Sequence, residues 1–362
     1  MWDKAKQQFF IMKTKLFLVA AIVIGFATTS VAQQKFNVQN GTKTEFYEDL
    51  ETAIEKAVSG DTIYLPGRVI QVQNDLIIDK KLAIIGAGCD ADSIGGLLPT
   101  DIRINSGNVT IRFRNGSDGS LLTGCIVGAI VFGHRDEFNV YQQNIKNITF
   151  WRNKITGSIS LGLSTTNNQV KQIFISENIL SVFAIAINGY GASDCIINNN
   201  LFINNGNVNI SNVKNSRINN NVLRYSISTL EGCIVENNFF STGSPISGTC
   251  SNSSFNNNAF SATSFTIPSG NNSESNNLVN QETIRTFIVN TLTLPKNLKI
   301  RDDSPCKNAG TDGTDIGIFG GAAPYKDGAV PLNPHINKAV IATQTGKDGN
   351  LKVDITVSAQ TR

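Results

Sequence analysis

The stretch CIINNNLF (195–202) decides the reading of this chain, because its pattern recurs. The pattern runs apolar or small, any, apolar, any, any, Asn, any, apolar. Further copies are ITFWRNKI (148–155), IFISENIL (173–180), SRINNNVL (216–223), CIVENNFF (233–240) and SSFNNNAF (253–260), with a weaker SESNNLV at 273–279. The aligned residues are Asn153, Asn178, Asn200, Asn221, Asn238, Asn258 and Asn277, at steps of 25, 22, 21, 17, 20 and 19. Three positions before them stand Phe150, Ile175, Ile197, Ile218, Val235 and Phe255. Two positions after come Ile155, Leu180, Phe202, Leu223, Phe240 and Phe260. A fixed motif at variable steps describes one turn of a coil with loops of adjustable length. Alternation before the Asn reads as a short strand with one buried face. The Asn reads as a sharp bend, since it tolerates left-handed backbone and bonds its own neighbourhood. Coils stacked ~4.8 Å apart would pile Asn on Asn as a hydrogen-bonded ladder and Ile on Ile as a continuous core.

Composition agrees with a coil. The 362 residues include 43 Asn, and only 16% are charged, which suits short strands and tight turns better than a helical enzyme. Twenty Phe residues and frequent aliphatics argue against disorder. The length accommodates one large domain or two ordinary ones, with a sizeable core.

Residues 16–27, LFLVAAIVIGFA, form an uncharged apolar run preceded by Lys13 and Lys15 and followed by Ser30-Val31-Ala32. That order is the one used by secretory signals, and twelve residues are too few for a span of ~20. Residues 1–32 are therefore expected to be a leader cleaved after Ala32, directing the chain outside the cell or to its surface. Without them the chain holds 27 basic and 27 acidic residues. Such a neutral balance offers no footprint for nucleic acid.

Further along the chain, FYEDLETAIEKAVSG (46–60) has helical apolar spacing and is followed by GDTIYLPG (60–67), while SPCKNAGTDGTDIGIFGG (304–321) stands near the far end. With the repeat, these pieces resemble secreted bacterial proteins of the pectin-lyase-like superfamily. The resemblance implies an all-β fold, a right-handed parallel β-helix of about eleven coils over residues 33–325, with 46–60 as an N-terminal capping helix. Residues 326–362 break the pattern, and AVIAT (339–343) and LKVDITV (351–357) read as a two-strand appendage.

All six cysteines fall after the leader, in no metal-binding spacing. Cys195 and Cys233 share a column, with the Ser216 coil between them. Two coil spacings, ~9.6 Å, exceed disulfide reach, so both are expected free and buried.

In the resembled family, lyases and hydrolases carry catalysis on the outer face of the first sheet. Here that sheet would comprise GAIVFG (128–133), GSISLGL (157–163), AIAING (184–189), NVNIS (207–211) and SISTL (226–230). With branched residues inward, the outward set is Ala129, Val131, Ser158, Ser160, Ala184, Ala186, Asn188, Asn207, Asn209, Ser226 and Ser228, none ionisable. A lyase needs a base and a cation, and a hydrolase needs two opposed carboxyls. Beside that face, the loop 133–144 gathers His134, Arg135, Asp136 and Glu137 with Tyr141. It is either an acid/base cluster or, more simply, a solvated loop with self-paired charges. A second group joins Trp151 and Arg152 to Lys154 and Glu177. Trp151, Arg152 and Tyr141 are the ligand-binding candidates, since an aromatic ring beside cations stacks on a sugar. The simpler reading makes Arg152 and Glu177 a surface ion pair. Two lone histidines, His134 and His335, make no metal site.

The expected function is non-catalytic: a secreted or surface protein, glycan-binding or structural. The alternative is a polysaccharide lyase or glycoside hydrolase acting on an acidic polysaccharide through His134, Arg135, Asp136, Glu137, Lys154 and Glu177. No cofactor is expected, apart from calcium if the protein is a lyase.

Overall fold

The computed structural model describes residues 35–90, 98–105, 107–133, 144–163, 169–181, 185–203, 208–293, 295–326 and 335–358. It is an all-β parallel solenoid of about 9 turns. Each turn contributes one strand to each of three sheets. Sheet I runs from Leu76–Ile78 through Ile130–Phe132 to Ile246–Ser251, and sheet II from Thr62–Tyr64 through Thr149–Trp151 to Ser273–Ser275. Sheet III runs from Val69–Val72 through Lys154–Ile155 to Ala259–Phe260. The columns read from the sequence are the observed register. Phe150 pairs with Ile175, then Ile197, Ile218, Val235 and Phe255, while Ile155 pairs with Leu180, Phe202, Leu223, Phe240 and Phe260. All twelve side chains are fully buried. Each contributes on the order of 2 kcal/mol relative to exposure.

The tight bend between sheets II and III divides its work between two residues. The left-handed backbone belongs to the residue before each ladder Asn, with φ of 58° at Arg152, 54° at Glu177, 55° at Asn199, 56° at Asn220 and 57° at Asn237. The ladder Asn itself turns inward, which corrects the expectation that it makes the left-handed turn. The Asn200 backbone N–H and Nδ2 both donate to Asn221 Oδ1, at 2.9 and 3.0 Å, and Nδ2 also reaches Ile175 O. The same relay runs unbroken from Asn153 to Asn277. Stacking the amides satisfies donors and acceptors that a buried bend otherwise orphans.

At the N-terminal end, Leu50–Lys56 is helical, capped by Asp49 Oδ1, which accepts from Thr52 N–H at 2.7 Å. Leu50, Ala53 and Ile54 close the core. Residues 43–47, part of which the apolar spacing assigned to the helix, instead pair antiparallel with Phe36–Asn40, which pairs in turn with Thr62–Tyr64 and covers that strand edge.

The count of turns falls short of eleven because the chain leaves the coil after residue 279. The outward position following each ladder Asn is apolar on five consecutive coils: Ile179, Leu201, Val222, Phe239 and Ala259. Residues 283–325 turn back over that surface, and Phe287, Leu298, Ile300, Cys306, Ile316, Ile318 and Tyr325 pack with Leu201, Val222, Phe239 and Ala259. A returning strap thus replaces two further coils. The strap docks on the left-handed column. Asn257 Nδ2 donates to Ala309 O, Asn237 Nδ2 to Thr311 Oγ1, and Asn199 Nδ2 to both Ile318 O and Gly320 O. Gly320 is required by close approach, since a Cβ there would meet Asp315 O at 1.7 Å.

All six cysteines are free and buried, Cys195 and Cys233 among them. The terminal residues His335–Ile341 and Val353–Ser358 pair as an antiparallel hairpin.

Candidate functional site

Trp151 and Glu177 sit on adjacent coils where the strap ends. Trp151 lies at the end of its sheet II strand, pairing with Thr123 above and Ser176 below. Its Nε1–H donates to Glu177 Oε1 at 2.8 Å, and the Arg152 guanidinium lies over its ring at 4.4 Å. Arg152 Nε donates to Glu177 Oε2 at 2.9 Å, and the Lys326 backbone N–H adds a third bond at 3.1 Å. The expected surface ion pair is in fact buried, with Arg152 1% and Glu177 2% exposed. The bend turns both side chains toward the strap, which lies against them. A buried pair of this kind is held by geometry and hydrogen bonds that offset its desolvation.

Beside the pair lies a cleft of ≈ 570 Å³. Thr149, Trp151 and Phe174 form its sheet II wall, and Ala322, Ala323, Pro324 and Lys326 face them. Phe174 stands next to Thr149 in register, so the two aromatic rings come from neighbouring coils. Lys154 lies across the bend in sheet III, paired with Ile126 and Ile179 and outside the lining of this cleft. His134, Arg135, Asp136, Glu137 and Tyr141 lie outside the described residues. The structure therefore brings together three candidates, Trp151, Arg152 and Glu177, and sets Lys154 on a different sheet.

The outer face of sheet I is less uniform than expected. Its central column runs Arg112, Val131, Ser160, Asn188, Ser211, Ser228 and Ser247. Arg112 pairs with Asp75 at 2.9 Å. Ala186, Asn209 and Ser226, expected outward, are buried. A register shift between Val208 and Ile210 accounts for Asn209, whose Oδ1 accepts from Tyr225 N–H. The strands also run further than the sequence suggested, reaching Lys214 and Glu231, which pair at 2.8 Å.

The strap wall of the cleft was missed by sequence reasoning, although a signal existed. Outward apolar residues at 179, 201, 222, 239 and 259 demand a cover, and Lys154 is the first polar residue at that position in the motif series. Among the described residues, no group of three or more His, Cys, Asp or Glu side chains is placed to hold a metal, and no helix is long and apolar enough to cross a membrane. Asp312 and Asp315 serve the strap itself: Asp312 Oδ1 accepts from Thr314, and Asp315 Oδ1 from Asn308 N–H. No protein-family model matches the chain, and no curated protein matches its sequence.

Proposed function

We propose that this chain is an exported, non-catalytic β-solenoid that binds glycan in the cleft between Trp151, Phe174 and residues 322–326. The observation that carries the reading is the fixed indole. Trp151 is part-exposed, its N–H is held by Glu177, and Arg152 braces its ring. A rigid aromatic plate in a concave site of this size is suited to stack on a sugar face at little entropic cost. Lys326 adds a cation to the opposite wall.

The same geometry argues against bond cleavage at this cleft. Among the described residues Glu177 is its one lining carboxylate, and its two oxygens already accept from Trp151, Arg152 and Lys326. A hydrolase uses two carboxyls and a lyase an available base. Export is supported by the leader-like residues 1–32. Kinship with the pectin-lyase-like superfamily is supported by the parallel coil, by the helix preceding GDTIYLPG and by the GTDIGIFGG ending.

The test uses Trp2→Phe protein, in which Trp151 is the sole indole, against neutral and acidic oligosaccharides. Saturable change in Trp151 emission, with every glycan recovered intact by mass spectrometry, is the expected result. Unsaturated uronate ends would establish a lyase and saturated fragments a hydrolase. Either product would overturn the proposal.

A further inference from the structure

We infer that Lys146 and Lys171, at the corner between sheets I and II, form an anion site that holds the charged groups of an acidic glycan entering the cleft. The inference rests on the glycan-binding reading above. Backbone bridges set Lys146 beside Lys171 and Lys171 beside Ser193, and the same column continues through Lys214 and Glu231. The two lysines are therefore one coil spacing apart, ~4.8 Å along the axis. Both are exposed.

What marks them is a broken rule. Elsewhere among the described residues, charged side chains that meet on neighbouring coils of this column or of sheet II and its bend are opposite in sign. Arg152 meets Glu177 at 2.9 Å, Arg217 meets Glu236 at 2.6 Å, and Lys214 meets Glu231 at 2.8 Å. Lys146 over Lys171 puts like charges side by side, which is unfavourable in a sheet. Neither lysine has an ion pair among the described residues. The nearby acids are committed in part: Asp118 Oδ1 accepts the Lys146 backbone N–H at 3.1 Å, and Asp194 Oδ2 accepts from Ser193 Oγ at 2.9 Å. An oxyanion seated between the two ammonium groups turns their repulsion into attraction.

The pair stands on the same two coils as the cleft. Thr149 follows Lys146 by three residues, Phe174 follows Lys171 by three, and both line the cleft. A sugar chain crossing sheet II from Lys326 would lay its rings on Trp151 and Phe174 and bring its next anionic group to the lysines. Carboxylates of uronates and sulfate esters share the required chemistry, so both belong in the test.

The experiment measures affinity of the full chain and of Lys146→Gln/Lys171→Gln by calorimetry. Probes are a neutral, a uronate and a sulfated oligosaccharide of equal length, each at low and high salt. The anionic probes are expected to bind the unaltered protein more tightly than the neutral one and to weaken as salt rises. The double variant should lose about tenfold for the anionic probes and nothing for the neutral one, as expected when charge-assisted bonds are removed. Whichever anionic probe shows the larger loss identifies the charged group as carboxylate or sulfate. Undiminished anionic binding by the variant overturns the lysine site while leaving the glycan reading intact. Binding of no glycan at all by the unaltered protein overturns both. Thermal melting supplies a control independent of ligand: the variant should melt no lower than the unaltered protein, and a clear fall would show that the lysines are structurally paired, which overturns the inference.

Discussion

Two columns of this solenoid differ by one residue in sequence and by everything in environment. The ladder column, from Asn153 to Asn277, points inward, and its members from 153 to 258 are fully buried, each amide bonded to the next. The column immediately before it holds Arg152, Glu177, Asn199, Asn220, Asn237 and Asn257, all in left-handed backbone. Inside, Asn is required because its amide both donates and accepts along the axis, so one different side chain orphans groups on two coils. Outside, Asn is favoured because it tolerates positive φ, and its amide is left over to hold the strap. That second column therefore has freedom to vary. It departs from Asn at Arg152 and Glu177, which are the two positions that build the cleft.

The comparison can be broken at the cleft first. Arg152→Met leaves Glu177 buried without its cation and is expected to cost about 3–5 kcal/mol in urea unfolding, while Arg152→Met/Glu177→Leu should recover most of that loss. If the double variant were as unstable as the single, burial of the pair would not be what holds the strap end.

Next comes the direct contrast of neighbours. Asn221→Gly removes the acceptor used by Asn200 and the donor that reaches Asn238, and should cost about 3 kcal/mol. Asn220→Gly keeps the left-handed turn and loses the long bond to Gly317 O and the bond its Oδ1 accepts from Asn219 Nδ2 at 3.0 Å, so about 1 kcal/mol is expected. Equal midpoints for the two variants would erase the distinction between the columns.

Another corner of the same coils carries a sparser ladder, in which Cys195 N–H donates to Ser216 Oγ and Cys233 N–H to Ser253 Oγ, both at 3.0 Å. Burial pushes the Cys233 thiol from 9.0 up to about 11. Above pH 9 the unfolded thiol therefore loses its proton while the folded one keeps it, and stability falls as pH rises toward 11. At pH 10 this contribution is about 1 kcal/mol. Cys233→Ser should remove that part of the alkaline slope, read from unfolding midpoints at pH 8 and pH 10. An unchanged slope would mean that the thiol titrates in the folded coil.

The repeat was legible because its period is enforced by stacking: every inward position meets its own kind one turn away. That is why the Ile and Phe columns, the Asn ladder and the free Cys195 and Cys233 are legible in the sequence. The division of the bend was not, since NNN triplets such as 198–200 and 219–221 conceal which Asn turns and which bonds. The turn count failed for a related reason. The apolar run at 179, 201, 222, 239 and 259 falls on a position that the repeat treats as indifferent, and only its cover gives it meaning.

By itself, then, the sequence determined a stacked β-coil with an internal Asn ladder, because those features are periodic and each residue's partner is its equivalent on the next turn. Only the tertiary structure decided where the coil stops, that a strap returns along the left-handed column, and that Arg152 and Glu177 are buried beside an indole. The strap contacts join residues from 52 to 149 positions apart, Asn257 with Ala309 and Glu177 with Lys326 among them. No period links such residues, so their meeting depends on the path of the folded chain.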